Sequence, residues 1–179
     1  TQFDELDRVI ASLDADGEAT AFDYDAIGNL LSVTDPLGNV TSYLYDDMNR
    51  VEQRTDPLGN TEHFEFDEVG SLTRRTDRLG RATEFTHDLL DRLLGEVWRD
   101  AGGAIVETIG YGYDAHDNLT SASSGESAYA RQYDLLGRVL SSSNAGTIGP
   151  QLALTFGWDA AGNRTSVGDN AGVAVQAEF

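Results

Sequence analysis

Aspartate recurs every 21 residues through the first half of this chain, at Asp4, Asp25, Asp46, Asp67 and Asp88, and continues with looser spacing at Asp114, Asp134 and Asp159. Carboxylates stacked in such a column could hold a hard cation such as Ca²⁺, which takes oxygen ligands. The same short acidic side chain can instead accept backbone N–H groups inside its own turn. Asp14-Ala15-Asp16-Gly17-Glu18 is similar to the start of a calcium loop but lacks the remaining ligands of an EF-hand. His63, His87 and His116 fall at unrelated points of the period, and no His-Glu-x-x-His pair occurs. The serines at 121, 123, 124, 127 and 141–143 lack a Gly-x-Ser-x-Gly elbow. Paired carboxylates carry no catalytic information in a chain with 31 acidic residues. No catalytic residue, cofactor residue or metal ligand is therefore assigned, and the expectation is a protein that is not an enzyme.

Eight units align on the Asp. The residue before it is Phe3, Tyr24, Tyr45, Phe66, His87, Tyr113, Tyr133 or Trp158, and the residue three before it is Phe22, Tyr43, Phe64, Phe85, Tyr111, Arg131 or Phe156 from the second unit on. Three positions after the Asp stand Asp7, Gly28, Asn49, Gly70, Asp91, Asp117, Gly137 and Gly162, types that enter the left-handed backbone region at low cost. Five positions after it stand Val9, Leu30, Val51, Leu72, Leu93, Leu119 and Val139, with Arg164 breaking the column in the last unit. The positions assigned a structural role are Tyr24, Asp25, Gly28, Leu30, Tyr43, Tyr45, Asp46, Asn49, Val51, Phe64, Phe66, Asp67, Gly70, Leu72, Tyr113, Asp114, Tyr133, Asp134, Gly137, Trp158, Asp159 and Gly162. His87 reads as a packing substitute in the aromatic column.

These columns require strand, turn, strand, turn in each unit. Aromatics two apart project from one face of a pleated strand, while the second strand, as in Asn29-Leu30-Leu31-Ser32-Val33-Thr34, alternates imperfectly. Asp35-Pro36-Leu37-Gly38 and Asp56-Pro57-Leu58-Gly59 match a type I turn, and Asp14-Ala15-Asp16-Gly17 and Asp77-Arg78-Leu79-Gly80 occupy the same place without proline. No window keeps a helical apolar period. The reading is all-β: tandem β-hairpin repeats of about 21 residues forming a continuous, spiralling antiparallel sheet, a single array over 1–179 with about eight repeats. Repeats are regular over 1–95; over 96–179 longer loops are expected at the second turn, near residues 99–108 and 141–153. The chain opens and closes within strand-like sequence, so open sheet edges are expected to pair with neighbouring repeats of a longer chain or with other copies. A piece standing alone is expected to form an open curved sheet or a barrel-like roll.

Charge narrows the partners. Twelve arginines, no lysine and 31 acidic residues give a net charge of −19, which repels phosphate backbones and anionic membranes. Nucleic acid and a membrane span are not expected, and without cysteine no disulfide stabilises the array.

The strings Tyr24-Asp25-Ala26-Ile27-Gly28-Asn29-Leu30, Thr34-Asp35-Pro36-Leu37-Gly38-Asn39-Val40-Thr41 and Tyr43-Leu44-Tyr45-Asp46 resemble the Rhs or YD repeat, with the nearest copies between 22 and 88. That resemblance implies a wide sheet spiralling into a hollow shell, as in insecticidal toxin complexes, bacterial polymorphic toxins and teneurin-like surface proteins. It implies a structural, non-enzymatic scaffold that encloses or presents a toxin or adhesive domain of a secreted or cell-surface protein, with an enclosed toxin as possible cargo. The self-cleaving core of some family members is not found here, and no site residue is carried over from it. An alternative from the residues themselves is a surface recognition module that binds glycan or protein through loops and exposed aromatics. Exposed rings would favour that module, and buried rings the scaffold.

Overall fold

The computed structural model describes residues 1–147 and 151–170, and the backbone of a strand at 174–176. Every described element is a strand or turn. The strands are β1 (Gln2–Phe3), β2 (Val9–Leu13), β3 (Ala19–Tyr24), β4 (Leu30–Thr34), β5 (Val40–Tyr45), β6 (Val51–Thr55), β7 (Thr61–Phe66), β8 (Leu72–Thr76) and β9 (Ala82–His87). They continue with β10 (Leu93–Arg99), β11 (Ile105–Tyr113), β12 (Leu119–Ser123), β13 (Ser127–Tyr133), β14 (Val139–Gly146), β15 (Leu152–Trp158), β16 (Arg164–Asp169) and β17 (Ala174–Gln176). The chain divides into two compact units, one of Thr1–Glu84 with Arg99–Ala104 and one of Phe85–Trp98 with Ile105 onward, so the division falls within β9 and β10. In the first unit each strand from β1 to β9 pairs antiparallel with the next. In the second, β11 to β17 do the same.

Both turns of a repeat use one device. At the first, Gly28 N–H donates to the Asp25 carbonyl (3.3 Å) and Asp25 N–H to the Asn29 carbonyl (2.9 Å); at the second, Gly38 and Asp35 repeat this with Asp35 and Asn39. The fourth turn residue then enters the left-handed region, as Gly38 and Gly59 do at φ 83°. This is a type I turn closed by a left-handed residue, a loop matched to the twist of paired strands.

Seven of the first hairpins also carry a β-bulge. Asp23 pairs with Ser32 but Tyr24 with Leu30, so Leu31 is unmatched, and the same slip recurs before Phe3, Tyr45, Phe66, Tyr113, Tyr133 and Trp158. An extra residue reverses the in/out phase of the strand, which is why the second strand alternates imperfectly in sequence.

Two expectations require correction. The wide spacing between Asp88 and Asp114 is not a longer loop: Asp100 N–H bonds the Ala104 carbonyl and Gly103 N–H the Asp100 carbonyl, each at 3.0 Å, so the ordinary turn persists. The added residues lengthen β10 and β11 to 7 and 9 residues, because apolar and β-branched residues on both sides of Asp100-Ala101-Gly102-Gly103 extend the ladder. Likewise 139–146, placed partly in a loop from sequence, is strand β14; positions 148–150 lie outside the described residues.

Burial is shallow. Among described residues Ala82 is the buried hydrophobic one, and the aromatics of the repeat columns other than the exposed Phe3 are half-buried. Each ring column covers one face of its strand without a second layer above it, so local hydrogen bonds must fix the register. Replacing Gly59 by alanine tests the turn alone, since a Cβ there meets nothing within 4 Å. The expected result is a loss of about 1–2 kcal/mol from left-handed strain, read as a lower urea midpoint with unchanged slope.

Candidate functional site

The residues singled out by sequence meet at the first turn of each repeat. In the third repeat Asp46 Oδ1 accepts the backbone N–H groups of Met48 and Arg50, both at 2.9 Å, while Oδ2 takes the Arg50 Nε–H at 2.7 Å. Asp4 with Arg8, Asp88 with Arg92 and Asp134 with Arg138 repeat this set. In the intervening repeats an asparagine amide replaces the guanidinium: Asn29 on Asp25, Asn118 on Asp114 and Asn163 on Asp159. Asp67 receives the N–H groups of Val69, Gly70 and Ser71. At Asp4, Asp25, Asp46, Asp88, Asp114, Asp134 and Asp159 both carboxylate oxygens thus face donors of their own turn, the geometry of a turn cap rather than of an outward cation ligand. No group of three or more potential metal-ligating side chains occurs among the described residues.

The donors shift the titration of the column. The backbone N–H of Arg50, and against partial desolvation its guanidinium, hold the Asp46 carboxyl below its ordinary 3.8. At Asp88 the Arg92 guanidinium is the main cause, and at Asp114 the Asn118 amide. At Asp25 desolvation is the largest single influence and opposes the shift, yet the donors of Asn29 and the turn together prevail.

The arginines do more than cap. Arg8, Arg50, Arg92 and Arg138 stand four residues after the Asp of alternate repeats, and each reaches the next one. Arg50 Nη1 donates to the Asp67 carbonyl at 2.9 Å, and its guanidinium lies 4.7 Å from the centre of the Phe66 ring. Arg8 relates in this way to Asp25 and Tyr24, Arg92 to Asp114 and Tyr113, and Arg138 to Asp159 and Trp158. Planar guanidinium suits this triple duty of ion pair, fork donor and ring stacking.

A second stitch runs backward. Tyr45 donates its hydroxyl to the Leu30 carbonyl of the preceding repeat at 3.0 Å; Tyr24 does so to Val9 and Tyr133 to Leu119, each also at 3.0 Å, and the Trp158 indole N–H to Val139 at 2.8 Å. The acceptor is always the residue five after the Asp, so the apolar column serves through its carbonyls as well as its side chains. Tyr111 instead donates to Glu96 at 2.8 Å, and burial together with that contact pushes its hydroxyl up to about 12. Apart from Phe3 the column rings are neither freely exposed nor fully buried, and the polar ends of Tyr24, Tyr45, Tyr133 and Trp158 are tied to the neighbouring repeat.

The left-handed column holds as expected by type, with Asn49 at φ 62° and Gly70 at φ 104°. Asn49 also accepts the Asn29 amide at 3.1 Å, while Val51 and Leu72 open β6 and β8 and Tyr43 and Phe64 face Arg54 and Arg75 on the paired strand. Sequence reading missed the arginines: their signal was an Arg at the fourth place after every second Asp, meaningful only once the repeats are set side by side. It also missed the turn tips. In the first unit Leu6, Ile27, Met48 and Val69 lie at the tips of the first turns, and Leu37, Leu58 and Leu79 at those of the second, all more than half exposed.

Residues 3–36 and 24–61 match the family model of the RHS Repeat. That stretch carries RHS repeats. No curated protein matches it in sequence. Among solved structures, the Tc holotoxin pore of Photorhabdus luminescens matches 91% of this chain at 20% identity and a TM-score of 0.70, and the TcdB2–TccC3 complex matches 88% at 18% and 0.69. The match covers 10% of each of those chains, so this protein spans about a tenth of the length of the structures it resembles. At such identity the likeness establishes a shared fold alone, an array of antiparallel hairpins.

Two measurements test the corner. The ordinary value of 3.8 is lowered in the fold at Asp4, Asp25, Asp35, Asp46, Asp56, Asp77, Asp88, Asp114, Asp134 and Asp159. Their stabilisation is present above the unfolded value and lost as pH falls through the folded ones. Urea midpoints should therefore be flat near neutrality and drop steeply below about pH 4. Tyr45→Phe is expected to cost about 0.5–1.5 kcal/mol, the range of one neutral hydrogen bond, and Arg50→Met about 1–3 kcal/mol for a charged donor. The two act on different junctions, so denaturation of the double variant should show near-additivity.

Proposed function

We propose that this chain is a structural, non-enzymatic strip of an Rhs shell, one array over its whole length, whose parent protein encloses or presents a toxin or adhesive domain outside the cell. The observation that supports the reading most strongly is the engagement of its chemistry-bearing groups: the column carboxylates and the arginines beside them are committed to holding one repeat against the next. Polar groups arranged in this way stiffen a wall one sheet thick and, among the described residues, leave no nucleophile, base and metal set converging on a substrate. The tying of the Tyr24, Tyr45 and Tyr133 hydroxyls to backbone carbonyls argues in the same direction, since a sugar-binding platform needs such hydroxyls free. The structural positions named from sequence, from Tyr24 and Asp25 to Asp159 and Gly162, serve the wall, and neighbouring repeats and an enclosed domain are its partners.

Limited proteolysis of the parent protein tests this. The enclosed domain should resist protease in the wild type and become cleavable when Arg8→Met, Arg50→Met and Tyr45→Phe loosen the wall together. Equal digestion of that domain in both proteins, or turnover of a substrate by this strip, would overturn the proposal.

A further inference from the structure

The exposed turn tips carry an inference that stands apart from the shell reading. At the tip of Asp56-Pro57-Leu58-Gly59 the turn is satisfied by its backbone: Leu58 N–H donates to Asp56 Oδ1 at 3.0 Å and Gly59 N–H to the Asp56 carbonyl at 2.9 Å. The Leu58 side chain contributes nothing to it and stands 87% exposed. Tips of solvated hairpins favour Gly, Asn, Asp and Ser. Single exposed leucines are ordinary, but apolar tips repeating along both ends of one strip form a surface. Tips on one end are two strands apart, about 9.6 Å, and the rows at both ends share that pitch.

Both ends carry acids, with Asp14, Asp16, Glu18, Asp35, Asp56 and Asp77 at the second turns, but the charge beside the apolar tips differs locally. At the first turns the apolar tip follows an acid in Glu5-Leu6, Asp47-Met48 and Glu68-Val69. At the second turns Leu79 lies between Arg78 and Arg81, whose side chains are 45% and 61% exposed although each pairs with an aspartate, Asp56 and Asp77. We propose that the second-turn row, centred on Leu58 and Leu79, docks the first-turn row of a second copy of this chain, each tip seated between two tips of the other and Arg78 and Arg81 facing the acids beside the incoming leucine, methionine and valine. Equal pitch makes a strip of the same repeat the fitting occupant, and the charge difference selects unlike ends. Because the contact joins different surfaces, it is heterologous and adds copies end to end rather than closing a two-fold dimer.

Sedimentation velocity of the 179-residue chain across a wide concentration range, at about 0.15 M salt where surface charge is screened over roughly 8 Å, tests the proposal. The wild type should form larger species as concentration rises, and Leu58→Ser with Leu79→Ser should weaken association about tenfold or more with an unchanged circular dichroism spectrum. Arg78→Glu and Glu68→Arg should each weaken it alone, and mixing the two variants should restore mixed assemblies. A wild type that stays monomeric throughout overturns tip docking. Serine variants that fold and assemble like the wild type also overturn it and assign association to the strand edges, and so does a charge-swapped mixture that fails to recover.

Discussion

The capped aspartate is the constraint on which the array depends. A sheet one layer thick has little interior to fix its register, and here Ala82 is the buried hydrophobic residue among those described. Hydrophobic burial, which dominates compact domains, is therefore available only at half strength. Register must come from directional contacts, and the column carboxylates supply them by closing their turns through Oδ1 and, at Asp4, Asp25, Asp46, Asp88, Asp114, Asp134 and Asp159, binding the fourth following side chain through Oδ2. Bulge, left-handed residue and strand twist all follow from the corner so closed.

From the corner the stabilising contacts pass outward along the chain. Arginines carry the link forward in alternate repeats, and tyrosine or tryptophan carries it back. The junction leading to Asp88 is the one with Ser71 in place of an arginine or asparagine and His87 in place of an aromatic ring with or without a donor. The division of the chain into two compact units falls in that same repeat. Repeat proteins take their stability from nearest-neighbour interfaces, so a junction of such composition is where cooperativity would be expected to thin.

Much of this was legible in the sequence. Asp columns, left-handed positions and paired aromatics are local requirements of a turn and a pleat, and local requirements leave marks at fixed spacing. The bulge left only a blurred alternation in segments such as Leu30–Thr34, because an unmatched residue is defined by the partner strand. The forward reach of Arg50 to the Asp67 carbonyl was invisible for the same reason: it joins residues whose adjacency exists only after the hairpins pair. Wide spacing around Asp100 misled, since a longer interval can enter a turn or a strand, and the β-branched residues flanking it placed it in strands. Half-burial of the rings also escaped, because an aromatic column looks alike whether one layer or two will cover it.

The alternation of arginine and asparagine behind the aspartates bears on how such a gene can lengthen. Duplication of a single arginine-bearing repeat would set two arginines behind successive aspartates, bringing the guanidinium that arrives from one corner beside the guanidinium already resident in the next. Duplication of two repeats leaves every cation beside an amide or hydroxyl. Recombination in steps of two is thus the permissive route, and the heritable module of this chain is a pair of hairpins, not one.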